Sequence, residues 1–257
     1  MYGFVDFLVV FYWLFSLRAR RNQCRMYRLR MGQSYGKALW SSYQNMRQFG
    51  KAIIDRFAVY AGHQFKVEIE NKQWVDEVCN TPQPLVILTA HLGNFELAGY
   101  FVHSGNRTMK VLLYSGEKEV VLMNRAKFFS QNNINILFAL SDMNYLYEIN
   151  NTLEAGQVLG VFADRNFGSA RTLKVNILGK QTNLPLGPFR VALLHDAYRC
   201  AMFAVRTGKY NYKILVTPLL ATTPQALAEE YVAAMEEAIK QYPYQWFNFF
   251  DFWKEKE

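Results

Sequence analysis

A chain of 257 residues with 51% hydrophobic side chains is long enough for one large domain with a buried core, or one domain plus an accessory segment. Its three cysteines (Cys24, Cys79, Cys200) are odd in number, far apart and in no C-x-x-C pair, which argues against a disulfide framework or a zinc site and fits a reducing compartment. Four histidines scattered singly (His63, His91, His103, His195) give metal ligation little to stand on, and the net charge of +8 is concentrated in six arginines between residues 18 and 30.

Those arginines (Arg18, Arg20, Arg21, Arg25, Arg28, Arg30) follow Phe4 to Leu17, an aromatic and aliphatic run broken only by Asp6 and Ser16. The run is shorter than the ~20 residues a membrane-spanning helix needs. Residues 1–30 therefore read as an interfacial anchor, with Tyr12 and Trp13 at the headgroup boundary and the arginines facing anionic cytoplasmic lipid. A nucleic-acid arm fits less well, because an apolar run precedes the charge and no basic stripe continues it. A cleaved signal peptide would carry its charge before the apolar part.

Residues 34–61 carry Ala38, Leu39, Tyr43, Met46, Phe49, Ile53, Phe57 and Tyr60 at steps of three and four, which predicts a helix closed by Gly62. A short strand is expected at Phe65–Ile69 and an apolar, buried strand at Pro84–Ala90. His91-Leu-Gly-Asn-Phe-Glu96 follows at once. On a continuous helix residues five apart lie about 140° from each other, so His91 and Glu96 meet only if the chain turns between them. Gly93 permits the turn and Asn94 is a favoured N-cap, so a helix is expected from Phe95 with Glu96 in its first turn. Glu96 would then orient the imidazole and leave its other nitrogen as a general base. Read alone, the spacing fits a structural histidine and a first-turn carboxylate equally well.

Further along, a strand is expected at Thr108–Tyr114, helices at Glu119–Asn132 and Asn144–Ala155, and a buried strand at Gln157–Ala163 leading into Asp164-Arg-Asn-Phe-Gly168. A strand at Lys174–Leu178, a helix from Pro188 to His195, and strands at Cys200–Arg206 and Tyr212–Pro218 follow. The last helix, Pro224 to about Tyr242, places Leu227, Tyr231, Met235 and Ile239 on one stripe. The tail from Tyr242 to Trp253 holds eight aromatics in twelve positions, suited to core packing or to contact with an acyl chain or bilayer. Alternating strands and helices predict an α/β fold, divided into an anchor (1–30) and a catalytic domain (31–257).

Several stretches carry a family likeness: Thr89-Ala-His-Leu-Gly-Asn-Phe-Glu96, Ala163-Asp-Arg-Asn-Phe-Gly168, Leu184-Pro-Leu-Gly-Pro188 with Arg190 and Ala192, and Tyr242-Pro-Tyr-Gln-Trp-Phe-Asn248. In order and separation the chain resembles the lysophospholipid acyltransferase-like superfamily, and within it the lauroyl and myristoyl transferases of lipid A biosynthesis. Its Trp246–Trp253 ending is more similar to a branch found beside aryl-polyene and flexirubin-type pigment genes. Enzymes of the lipid A type usually run longer at the N-terminus, with a fuller membrane helix.

The resemblance implies a mixed central sheet flanked by helices, glycerolipid acyltransferase-like, at the cytoplasmic face of a bacterial inner membrane. It implies transfer of an acyl group from acyl carrier protein or coenzyme A to a lipid hydroxyl, with no cofactor beyond that thioester co-substrate and no nucleic-acid partner. In that chemistry His91 is the base and Glu96 its orienter. Backbone N–H groups around Gly93 and Asn94 would bind the oxyanion. Arg125, Arg165 and Arg190 would bind phosphate or carboxylate groups, and Asp164 would fix one of those arginines. No Gly-x-Ser-x-Gly elbow or Cys–His pair offers a nucleophile. A non-catalytic lipid-binding protein on the same fold, or a thioester or ester hydrolase, are the alternatives.

Overall fold

The two most apolar runs become the centre of a sheet because every residue in them is covered on both faces. A computed structural model describes residues 2–95, 97, 107–114, 133–139, 144–166 and 169–253. Strands β1 (Lys66–Ile69), β2 (Leu85–Thr89), β3 (Met109–Tyr114), β4 (Ile134–Ala139), β5 (Val158–Phe162), β8 (Tyr198–Arg206) and β9 (Asn211–Pro218) form a seven-stranded sheet in the order β1-β9-β8-β2-β5-β3-β4. All neighbours are parallel except the antiparallel β8–β9 pair. Strands β6 (Thr172–Ile177) and β7 (Lys180–Pro185) make a separate antiparallel hairpin.

Period-two alternation sends side chains of one strand into two different cores. Val86 and Leu88 of β2 join Tyr231, Met235 and Ile239 from α7 (Pro224–Gln241). Leu85 and Ile87 join Val75 and Val78 from α4 (Lys72–Cys79) on the opposite face. Each such side chain contributes about 1.5–3 kcal/mol by leaving water. Helix α7 starts where its sequence says it should: Thr223 Oγ1 accepts from Ala226 N at 3.3 Å, and Pro224 occupies the first turn.

The expected helices over α3 (Tyr35–Tyr60) and α5 (Asn144–Glu154) are present. Strand β4 and strand β7 were not expected. In the β6–β7 turn Leu178 and Gly179 both take positive φ (49° and 74°), the pairing that a two-residue hairpin with right-handed strand twist demands. The helix expected from Pro188 is instead the short α6 (Leu186–Val191), after which His195 and Asp196 turn the chain at φ 54° and 48°. The expected helix Glu119–Asn132 lies outside the described residues, and the helix after Asn94 is described only at Phe95 and Leu97.

The boundary expected at residue 30 is corrected by packing. Helices α1 (Tyr2–Phe15) and α2 (Leu17–Met31) meet at 92°, and no single helix among the described residues is long and apolar enough to cross a membrane, although this bent pair together passes by length and composition. Helix α1 lies on α3, where Val5 and Val9 fill the space that a side chain at Gly50 would occupy (2.8 and 3.1 Å from an added Cβ). Arg47 grips Asp6 with two bonds of 2.6 and 2.7 Å. Helix α2 is part of the main core: Tyr27 is wholly buried and its hydroxyl donates to Pro243 O at 2.8 Å, while Gln23 donates to Asn45. Residues 17–31 are thus structural members of the domain, and only the outward face of α1 is left uncovered.

Candidate active site

Register places the central pair of side chains. Thr89 of β2 and Phe162 of β5 are direct neighbours in parallel strands, and His91 and Asp164 each lie two residues further on. The equal overhang brings them side by side at the carboxyl ends of the strands, the edge where open α/β sheets hold ligands. His91 Nδ1 sits 2.8 Å from Asp164 Oδ1, and His91 N donates to Oδ2 at 2.9 Å. An ionised carboxylate only accepts, so Nδ1 carries the hydrogen and Nε2 presents its lone pair. No described residue hydrogen-bonds Nε2. The ring is held edge-on to Phe95 (5.3 Å between centroids) and tilted against Phe162 (4.8 Å).

Asp164 is fully buried whereas the His91 side chain keeps 19% of its surface. Burial alone would push the Asp164 carboxyl up; the charge and hydrogen bonds of His91, with the charge of Arg165, outweigh it and hold the group below its ordinary value. Beneath the pair, buried Tyr231 donates to Thr89 O at 2.9 Å and closes the strand end.

The loop carrying His91 is fixed by the C-terminal tail. Gly93 N donates to Gln245 O at 2.8 Å, Phe247 N donates to His91 O at 2.9 Å, and Leu92 bridges Trp246. Gln245 is itself locked, its side chain accepting from Arg206 N and donating to Arg206 O, both at 2.8 Å. On the other side Asn94 N donates to Ala204 O at 2.7 Å. Gly93 is required here: its φ is +67° and an added Cβ would lie 2.0 Å from Ala204 O.

This geometry corrects three expectations. The carboxylate on the imidazole is Asp164, two strands' worth of chain away, and Nδ1 is thereby taken; Glu96 lies outside the described residues. Asp164 binds His91 rather than fixing an arginine. The N–H groups of Gly93 and Asn94 are spent on Gln245 and Ala204 and do not point at an oxyanion, because the loop must satisfy its buried backbone as it crosses the sheet end. The Asn94 side chain is likewise engaged, donating to Ala52 O at 3.0 Å and to the Tyr212 hydroxyl at 3.3 Å.

Of the expected cations, Arg165 donates to Phe247 O at 2.7 Å and lies 5.2 Å above the Phe250 ring, so it braces the tail. Arg190 is exposed at the end of α6, with no partner among the described residues. Arg125 lies outside them. Among the described residues no group of His, Cys, Asp and Glu is arranged to hold a metal ion. Burial raises the Cys24 and Cys200 thiols, leaving both poor nucleophiles. The residues missed at the sequence level are those of the tail that set the His91 loop, Gln245 above all; only the aromatic density around it marked the segment.

A buried carboxylate on Nδ1 with Nε2 unengaged is the arrangement of an imidazole base. The family model described as bacterial lipid A biosynthesis acyltransferase matches residues 42–255, beginning within α3. A comparison with curated proteins finds no match. The chain belongs to the bacterial lipid A biosynthesis acyltransferase family and is an acyltransferase enzyme.

Proposed function

We propose that this acyltransferase moves a fatty acyl group from a thioester on acyl carrier protein or coenzyme A to a hydroxyl of a lipid or lipid A-like acceptor, with His91 as general base. The carrying observation is the 2.8 Å contact of Asp164 with Nδ1, which leaves Nε2 to receive a proton. The acceptor hydroxyl oxygen attacks the thioester carbonyl carbon as Nε2 takes its proton. The tetrahedral intermediate collapses with cleavage of the carbon–sulfur bond, and the imidazolium returns the proton to the thiolate. Asp164 holds the ring in the required tautomer and stabilises the imidazolium, and Arg190 is a candidate for an anionic group of either substrate. Glu96, the other carboxylate of the box, is kept as a second candidate for the site. The reaction would take place at the cytoplasmic face of a bacterial inner membrane, against which the outward face of α1 and the arginines of α2 lie.

The test is thiol release from acyl-carrier protein and acyl-coenzyme A in the presence of a lipid extract, with acyl-lipid products followed by mass spectrometry. His91→Ala should lose on the order of 10²–10⁴ in rate while keeping its fold. Wild-type turnover by folded His91→Ala would end the assignment, and thiol release that needs no acceptor would make the protein a hydrolase.

A further inference from the structure

Away from His91, on the far side of the C-terminal tail, α2, the β6–β7 turn and residues 248–253 enclose a cleft of about 280 Å³. Its apolar part is aromatic and aliphatic, with Met26, Phe250 and Trp253 among the lining side chains. Three cations, Arg25, Arg30 and Lys180, reach it from two different elements, and one acid, Asp251, accompanies them. Asp251 is already paired with Arg25 at 3.1 Å. Arg30, stacked 5.4 Å over the Trp253 ring, and Lys180 have no acidic partner among the described residues. Asn248 also lines the cleft, and it is 3% exposed. Both polar atoms of its amide are shielded from solvent without a hydrogen-bond partner. Buried amides are rarely left so, and an orphaned donor–acceptor pair beside two uncompensated cations marks a place built for a polar, anionic guest.

We propose that this cleft binds a phosphate ester. Two free cations call for more than one negative charge, and a phosphate group supplies up to two with three acceptor oxygens, which the guanidinium fork of Arg30 and the ammonium of Lys180 suit. The Asn248 amide meets a hydroxyl or ester oxygen next to the phosphate, and the Phe250 and Trp253 rings cover the adjoining carbon skeleton. Pockets that engulf a whole drug-sized ligand run to roughly 300–1,000 Å³, so a cleft of about 280 Å³ takes a headgroup or the phosphate end of a larger molecule and not a fatty chain. The site is independent of the reaction assigned to His91, since none of its lining residues belongs to the His91–Asp164 pair.

A phospholipid headgroup and the phosphate-bearing arm of a soluble thioester share this chemistry, and two matched pairs of probes separate them. Titration calorimetry on the purified full-length chain would compare dihexanoyl phosphatidic acid with dihexanoylglycerol, and coenzyme A with pantetheine. The expected result is saturable binding of the phosphate-bearing member of at least one pair, weakened about tenfold or more in Lys180→Glu or Arg30→Gln. Lys180 is an exposed turn residue, so its variant should melt with the wild type. A response to phosphatidic acid alone makes the source a membrane lipid, and a response to coenzyme A alone makes it the soluble donor. If neither phosphate-bearing probe binds better than its partner, or if both variants bind as the wild type does, the cleft is not a phosphate site.

Discussion

Asp164 decides what His91 is able to do. A fully buried carboxylate held below its ordinary value by a neighbouring imidazole and guanidinium stabilises the folded state wherever it is ionised there and only partly protonated in the unfolded chain. Because the folded value is lowered, that contribution is complete above the usual carboxylate range and is lost as pH falls through the folded value. Asp164→Asn should therefore be less stable than wild type by a constant margin from neutral pH to about pH 5, and the margin should narrow below about pH 4. Urea denaturation across that range checks it; a margin that widens in acid would contradict the sign. Both residues are legible in the sequence as polar groups directly following buried β runs. Their pairing is not, since it requires β2 and β5 to be neighbours although β3 and β4 lie between them in the chain. The same long-range fact hides the fate of Gly93, whose N–H looks free for an oxyanion until β8 and the tail are set against it.

The elements most readable from sequence are those whose pattern is self-sufficient: the periodic α3 and α7 and the continuously apolar β2 and β5. Strand β7, Lys-Gln-Thr-Asn-Leu-Pro, is polar for most of its length and becomes a strand only because β6 pairs with it. Strand β4 is an edge strand covered mainly on one side, so its apolar signal is weaker. For α1 the decisive residue is on its neighbour. Gly50 in a helix interior is intrinsically unfavourable by about 1 kcal/mol relative to Ala, so replacing it should stabilise α3 unless the space is needed. Val5 and Val9 occupy that space. Gly50→Leu is expected to lift α1 from α3, seen as faster amide hydrogen exchange in residues 2–15 with the sheet still protected. Unchanged exchange in α1 would show that its docking does not depend on this contact.

At the scale of the whole molecule, the outward face of α1 is the largest apolar surface left without a partner: Phe4, Phe7, Phe11 and Phe15 are all exposed, beside the arginines of α2. Deleting residues 1–30 would also pull Tyr27 out of the main core, so loss of membrane binding after such a deletion would not isolate the anchor. Replacing Phe7, Phe11 and Phe15 by Asp leaves the core intact. The triple variant should stay folded and no longer sediment with vesicles containing anionic phosphatidylglycerol, whereas co-sedimentation equal to wild type would place the anchor elsewhere.

Family membership makes the chain an acyltransferase, and the sheet edge at β2 and β5 gives it one buried carboxylate–imidazole pair through which to work. The most direct measurement of that claim is a double-mutant cycle on the rate of acyl transfer with His91→Ala, Asp164→Asn and the combined variant. If Asp164 acts only through the imidazole, the double variant should be no slower than His91→Ala alone. Rate losses that multiply in the double variant would mean that the two residues work separately, and the pair would not be the catalytic unit.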